Sequence, residues 1–389
     1  MSQGKVAYIG CGIFDGFKTH KNSALLIDGE TVTGIVRDDQ IPEGYQNNTI
    51  SDGFICAGFV DLQVNGGGGV LLNDAPDENT IRTICDAHLP FGTTSLLPTL
   101  ITDSAQQSLA AIEATRGAIE NKTPGVLGLH LEGPHLSFAK KGTHDKALIR
   151  QLEEDDLEYL IEAAKILPSL MLTIAPESVS PTQIATLSQA GAIISLGHSD
   201  ASYADSLEAV EHGASCVTHL FNGMSPLTNR EPGLVGCALQ SGALSAGLIA
   251  DGYHVDPVTI QIAMRAKQSP GKIFLVTDAM STVGSDQLGL WLNNRWIQRD
   301  NGRLSLKDGT LAGADLDMIS AVKFMVKQVG TSKEEAIRMA SLYPAQVLHR
   351  ESEIGSLIKG TRADFLWVND GLDIQAVWRS GQRLEVSCK

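Results

Sequence analysis

The chain has 389 residues, enough for one large domain with a smaller companion. With 43% hydrophobic and 19% charged residues it has the composition of a packed globular protein, which excludes disorder as its main state. Thirty basic against 45 acidic residues give a net charge of −15, a surface that repels nucleic-acid backbones and anionic membranes, so neither is expected as a partner.

The first 55 residues read as short strands at Val6–Gly10, Ser23–Asp28, Val32–Arg37 and Thr49–Ile55, divided by Gly, Asp and Asn turns. Met1 to Asp15 carries no apolar stretch of secretory type, and no run in the chain approaches the ~18 apolar residues of a membrane span. The six cysteines, at 11, 56, 85, 216, 237 and 388, form no C-x-x-C pair. Reduced, buried thiols and a cytoplasmic location are therefore expected.

From residue 56 to residue 348 the pattern changes. Nearly continuous apolar runs predict strands at Phe59–Val64, Thr94–Thr99, Leu127–Glu132, Met171–Pro176, Ile193–His198, Cys216–Phe221, Leu244–Ala250 and Ile273–Asp278. Helical periodicity fills the gaps: Ile81, Ile84, Cys85 and His88 share one face, as do Leu152, Leu157, Leu160 and Ile161. Ser199–His212 opens with a Ser-Asp capping signal. Eight strand–helix alternations in this length predict an α/β fold of the (β/α)8 TIM-barrel type. An open doubly wound sheet is the competitor, but no G-x-G-x-x-G fingerprint is present. Helices are predicted around Leu316–Val329 and Lys333–Ala345. Strands return at Asp364–Val368 and Ile374–Trp378 within the segment 349–389. Neither end can close a core alone, so a small β-sandwich domain formed by both chain termini (1–55 and 349–389) is expected beside the barrel (56–348).

Barrel enzymes draw their chemistry from the C-terminal ends of the strands. The polar residues there are Gln63, Asn65, Thr99, His130, Glu132, Glu177, His198, His219, Asp251 with His254, and Asp278. Glu132, His198 and His219 make a three-ligand set that leaves a position for water, the pattern of a catalytic divalent metal, with Zn2+ first and Fe2+ or another divalent ion as alternatives. Each histidine taken singly reads as an ordinary hydrogen-bonded side chain; their common position carries the argument. Asp278 is placed to act as general base and then acid. His130 shares a strand face with Glu132, as a ligand or as a support for one. His144 follows Lys140-Lys141-Gly142-Thr143 and could polarise a carbonyl. Arg230 could grip an anion or form a surface ion pair with Glu231. The run Asn65-Gly66-Gly67-Gly68-Gly69 lacks the Lys-Ser/Thr of a phosphate-binding loop and reads as a turn bordering the site.

These residues sit in segments that resemble the N-acetylglucosamine-6-phosphate deacetylases of the amidohydrolase superfamily. The segments are Ala57-Gly-Phe-Val-Asp-Leu-Gln-Val-Asn-Gly66, Pro98-Thr-Leu-Ile-Thr102, Gly128-Leu-His-Leu-Glu-Gly-Pro134 and Lys141-Gly-Thr-His144. They continue through Gly197-His-Ser199, Thr218-His-Leu-Phe-Asn222, Arg230-Glu-Pro-Gly233, Ala250-Asp-Gly-Tyr-His-Val255 and Val276-Thr-Asp-Ala279. The resemblance implies one metal per subunit on Glu132, His198 and His219, with Asp278 as acid/base and His144 assisting. It implies sugar-phosphate contacts from Thr143, His144, Asn222, Gly223, Arg230, His254 and the loop Leu311, Ala312, Gly313. It further implies a homodimer in which one phosphate contact comes from the neighbouring subunit. Many amidohydrolases carry His-x-His where this chain has Gln63 and Asn65. Amides ligate transition metals poorly, so a second metal is expected to be weakly held at most. The activity implied is hydrolysis of the N-acetyl group of N-acetylglucosamine 6-phosphate to glucosamine 6-phosphate and acetate, a step of amino-sugar metabolism. The alternatives are an amidohydrolase for another N-acyl amine or cyclic amide, and a non-catalytic sugar-phosphate sensor. A sensor would have no need of all four residues Glu132, His198, His219 and Asp278.

Overall fold

The computed structural model describes residues 4–384. Cys388 lies outside them; of the other cysteines, Cys56, Cys85, Cys216 and Cys237 are buried and Cys11 half-buried, all as free thiols. Eight strands are hydrogen-bonded in chain order: β1 Phe59–Val64, β2 Thr93–Ile101, β3 Leu129–Glu132, β4 Leu170–Ile174, β5 Ile193–Leu196, β6 Ala214–Val217, β7 Ser245–Leu248 and β8 Ile273–Leu275. Every residue of β1 and β2 is buried, as strands covered on both faces must be. A bridge between Val64 and Ala279, with the Asp278 N–H donating to the Gln63 carbonyl at 3.0 Å, brings the last strand back to the first. The expected barrel is therefore present.

Its helices are α1 Glu78–His88, α2 Ala105–Glu120, α3 Glu154–Ile166, α4 Pro181–Gln189, α5 Tyr203–Glu211, α6 Gly233–Gln240 and α7 Pro257–Ala266. The face predicted on α1 is buried at Ile81, Ile84, Cys85 and His88. Leu152 is buried but precedes α3. The cap of α5 is Ser202, which forms a reciprocal capping box with Asp205, rather than the Ser199-Asp200 pair. That pair turns to Glu177, which accepts from the Ser199 hydroxyl and the Asp200 N–H, both at 2.6 Å.

Five strands stop short of their expected ends: β4, β5, β6, β7 and β8 finish two to four residues before the apolar runs do. For β5, β6 and β8 the cause is backbone conformation. His198, His219 and Asp278 have φ of 46°, 26° and 52°, left-handed values that end a ladder although the side chains around them remain buried. Hydropathy reports burial, and burial continues past the last strand hydrogen bond.

By compactness the chain divides into two units: the described residues up to Asp61 with His88–Ser95 and those from Met318 onward, and Leu62–Ala87 with Leu96–Asp317. These breaks differ from the 55/56 and 348/349 divisions read from the sequence. Hydropathy marks where secondary structure changes type, not where contacts divide.

The first unit contains a four-stranded sheet in the order Thr31–Arg37, Ser23–Asp28, Lys5–Ile9, Gln46–Thr49. Its six-stranded sheet runs Gln382–Leu384, Ile374–Arg379, Phe365–Val368, Phe54–Ala57, Gly12–Phe14, Thr19–His20. The strand expected at Thr49–Ile55 is thus two strands in two sheets. Gly53 makes the break, with φ 69° and no room for a Cβ, which would lie 2.2 Å from the Val368 carbonyl oxygen. Tyr8, Leu25, Ile27 and Val32 meet Ile13, Ile55, Phe365 and Trp378 in one core, the interior of a sandwich built from both termini. Helices follow at Met318–Phe324, continuing as a wider π turn over Met325–Val329, then Lys333–Ala340 and Leu342–Val347.

The second unit adds an element the sequence reading missed. Gly289–Leu292, Arg295–Asp300 and Arg303–Ser305 form an antiparallel sheet after β8. Leu290, Leu292, Ile297 and Leu304 bury one face of it against Leu71, Ile101, Met280 and Ala312. The signal was present: Leu-Trp-Leu-Asn-Asn-Arg-Trp-Ile alternates across a two-residue Asn turn, and both asparagines have the positive φ (50° and 58°) such a hairpin requires.

Candidate active site and metal centre

β3, β5 and β6 deliver the three expected ligands to one point. Glu132 Oε1 lies 3.0 Å from His219 Nε2 and 3.3 Å from His198 Nε2, and the two imidazole nitrogens are 3.1 Å apart. All three side chains are buried, and this is the one cluster of its kind among the described residues. The His198 Nδ1–H donates to the Lys140 carbonyl at 2.8 Å, so its Nε2 is left bare and aimed at the cluster. Burial alone would raise the Glu132 carboxyl, but His198 and His219 hold it well below its usual range. Burial opposes protonation of His219, and the Glu132 carboxylate outweighs it and raises that histidine. Two imidazoles and a carboxylate packed this closely, with their lone pairs converging, fit a divalent cation. His198, His219 and Asp278 share a conformation that costs roughly 1–3 kcal/mol per non-glycine residue, a concentration of strain that marks a working site.

Asp278 stands beside this cluster with its carboxyl raised to about 6, by burial first and by the charge of Glu132 second. Two amides converge on its Oδ1, Asn65 Nδ2 at 2.7 Å and Gln63 Nε2 at 3.2 Å. The same Gln63 nitrogen donates to Glu132 Oε1 at 3.0 Å. Gln63 and Asn65 thus face the carboxylates with N–H groups, an arrangement that orients the acids, while Asn65 Oδ1 is buried with no hydrogen-bond partner.

The segment between β3 and α3 forms another wall. His144 Nδ1 lies 2.7 Å from Thr102 Oγ1, which is also 3.1 Å from the Glu132 carbonyl. One hydroxyl proton serves these two contacts, so rotation of the Thr102 hydroxyl selects which His144 nitrogen is protonated. Burial, then His198, depress His144 to about 3, so its ring is neutral. Its Nε2 is 4.0 Å from Glu132 Oε2. Arg295, from the unanticipated hairpin, donates to the Thr143 carbonyl and ties the two walls together.

These groups open onto a cavity of about 300 Å3. Of the residues expected to contact a ligand, Thr143, His144, Asn222, Gly223, His254, Leu311 and Gly313 line it, as does Asn65. Two do not: Ala312 is buried off the lining, and Arg230 is exposed on the 226–231 loop; of the two amides read as weak second-metal positions, Gln63 is not in the lining either. Ile101, Ile249, Met280, Leu292 and Thr310 also line it, and the sequence reading named none of them. His130 does not reach the cluster: it points into the barrel, to the Leu62 carbonyl at 2.9 Å and Thr173 Oγ1 at 2.7 Å. The glycine run is no phosphate cradle either. The N–H groups of Gly66, Gly68 and Gly69 are taken by the carbonyls of Ala279, Val283 and Ser281.

Comparison with known proteins agrees with this geometry. The model of the amidohydrolase family matches residues 54–384. The chain is 44% identical over 335 residues to an N-acetylgalactosamine-6-phosphate deacetylase of Shewanella sp. (strain ANA-3), covering 86% of this chain and 84% of the relative. It is 33% identical over 363 residues to an N-acetylglucosamine-6-phosphate deacetylase of Haemophilus influenzae, covering 92% and 94%. Among solved structures, the N-acetylglucosamine-6-phosphate deacetylase of Pasteurella multocida superposes with a TM-score of 0.93 at 32% identity, over 98% of this chain and 99% of the other. With its barrel, its Glu–His–His cluster and these relatives, the chain belongs to the amidohydrolase family, alongside the amino-sugar 6-phosphate deacetylases.

Proposed function

We propose that this protein is a metal-dependent deacetylase of N-acetylhexosamine 6-phosphates, releasing acetate and the free amino sugar phosphate. The observation that carries the reading is Asp278, a buried carboxyl raised to about 6 and held by two amides beside a Glu–His–His cluster, at the floor of a sugar-sized cavity. A divalent cation on Glu132, His198 and His219 would supply an activated water at neutral pH and polarise the acetyl carbonyl. The ion is one per subunit in this reading, Zn2+ first and Fe2+ or another divalent ion as alternatives, since Gln63 and Asn65 are committed as donors.

Asp278 accepts the proton of the attacking water through the oxygen the amides leave free, and returns it to the departing amine. No external acid is needed, because the same carboxyl serves both steps. His144 assists from the opposite wall. To donate from Nε2 to the developing oxyanion it needs Thr102 turned to donate to Nδ1, a rotation of one hydroxyl. Asn222, Gly223, Thr143, Leu311 and Gly313 form the walls for the sugar.

Among the described residues, the cavity lining holds no lysine or arginine. His254 is therefore the phosphate contact within the chain. Arg230, exposed here, contacts the phosphate only if a second copy presents it, which makes a homodimer part of the proposal. On the sugar itself, the sequence reading put N-acetylglucosamine 6-phosphate first. The 44% identity to an N-acetylgalactosamine-6-phosphate deacetylase moves the preference to the galacto epimer. The 33% relative and the Pasteurella structure keep the gluco epimer as the second reading.

The test is acetate release from both epimers by purified protein, with metal content measured on the same sample. A ratio of kcat/KM above one for the galacto substrate settles the first choice, and a ratio below one the second. No turnover of either sugar phosphate at full metal occupancy overturns the reading. As to location, no helix among the described residues is long and apolar enough to cross a membrane, and we place the enzyme in the cytoplasm, where phosphorylated sugars are retained.

A further inference from the structure

Asp251 and His254 lie on the loop between β7 and α7, at the edge of the cavity and apart from the Glu–His–His cluster. Both side chains are more than nine-tenths buried, at 6% and 7% exposure. Asp251 Oδ1 accepts the backbone N–H groups of Tyr253 and His254, each at 2.8 Å. Those two bonds make a common loop turn and need nothing further. Its second oxygen does something else: Oδ2 lies 2.6 Å from His254 Nδ1. Burial opposes ionisation of Asp251, but His254 and the two N–H groups overcome it and keep the carboxyl below its usual range. A carboxylate only accepts, so Nδ1 of His254 carries a proton and Nε2 is the nitrogen left for the cavity. Asp278 is a second charged group that this ring acts on, through space.

We infer that Asp251 is a positioning residue: it fixes His254 in one tautomer and one orientation, with Nδ1–H on the carboxylate and Nε2 toward the cavity, so that Nε2 can meet the phosphate of the substrate through one shared proton. This rests on the proposed function, because a dianionic group must be held in a cavity whose lining, among the described residues, has no lysine or arginine. Without its carboxylate partner the ring could rotate, or place its proton on either nitrogen.

Asp251→Asn tests this with little change of shape, because its amide oxygen can still accept the two backbone N–H groups. The variant should raise KM for the N-acetylhexosamine 6-phosphate about tenfold or more, the scale of one hydrogen bond to a charged group. Its kcat should stay within about threefold, and any activity on the unphosphorylated sugar should not move. Asp251→Glu should recover part of the loss. Equal losses on both sugars, or an unchanged KM, would overturn the inference. A second readout does not depend on turnover. In 15N-histidine-labelled protein, the His254 Nδ1–H resonance should be present in the parent and lost or shifted in Asp251→Asn, and inorganic phosphate should bind the variant more weakly by calorimetry. If the parent turns over neither sugar phosphate, the function is wrong, while the tautomer and phosphate measurements still decide the role of Asp251.

Discussion

His130 and Glu132 are two residues apart on β3 and point to the same side of the sheet, yet they belong to polar clusters of opposite kinds. The cluster around His130 is a closed chain. Its Nδ1–H donates to the Leu62 carbonyl, so its Nε2 accepts from Thr173, which pairs with Thr218 at 2.6 Å, which pairs with Ser195 at 2.6 Å. The one carbonyl at the end sets the direction of every proton in the row, and burial keeps the ring neutral, depressed to about 4. The cluster around Glu132 is open. Two imidazole nitrogens and a carboxylate crowd together, a second carboxylate stands beside them, and three of the residues hold left-handed backbone. Satisfied polar groups inside a barrel stabilise it; crowded, strained ones at its mouth are kept for a ligand.

The largest effect should come from Asp278. Asp278→Asn keeps the side chain's size and can still meet Asn65, yet it cannot take a proton from water. Turnover should fall by about 10²–10⁴, with the metal content and the melting temperature close to those of the parent. Near-normal turnover in a folded, metal-loaded variant would remove the general-base role. The same residue sets the acid side of the pH profile. Asp278 works ionised, and its pKa is raised to about 6, so kcat/KM should be lost as the pH falls through that region. A bound cation favours the ionised form and moves the limb lower, never higher. An acid limb above pH 6 that persists in Asp278→Asn would assign it to another group.

How far the sequence carried this comparison differs between the two clusters. Glu132, His198, His219 and Asp278 were legible because barrel topology concentrates function at strand ends, and hydropathy located those ends to within a few residues. The role of His130 was not legible. Its neighbours Thr173, Thr218 and Ser195 look like ordinary strand polar residues until the ladders bring them side by side. Arg230 shows the other limit. Its motif points to an anion, but a linear sequence does not say whether a loop folds over its own pocket, and here it does not. Leu292 and Arg295 lie in a hairpin whose period-two alternation interrupts the strand–helix pattern of the barrel, so that pattern did not single them out.

A middle-sized effect is expected at Thr102, which joins the site's two supports by bonding both the Glu132 carbonyl and His144 Nδ1. Thr102→Val is close to isosteric and removes only the hydroxyl. The His144 ring would lose the partner that fixes its orientation, and kcat should fall about tenfold, the scale of one buried hydrogen bond to a reacting group. Metal affinity should change little, because Glu132 holds its position by strand pairing. A variant with unchanged kcat would show that His144 does not act on the oxyanion.

The smallest effect on activity, and the sharpest test of the contrast, belongs to His130. If the inner chain is structural, His130→Phe should leave kcat/KM within about threefold while lowering stability by about 2–5 kcal/mol, since both the Leu62 carbonyl and the Thr173 hydroxyl lose a buried partner. His130→Gln offers an amide N–H to the carbonyl and an oxygen to Thr173, and should recover part of that stability. Chemical denaturation with activity measured below the transition separates the two quantities. A variant that stays stable but loses its metal or its turnover would join His130 to the open cluster after all. The direction of the hydroxyl row argues against that outcome: with its Nδ1–H fixed by a carbonyl and its Nε2 by a threonine, the ring has no nitrogen left to offer the site.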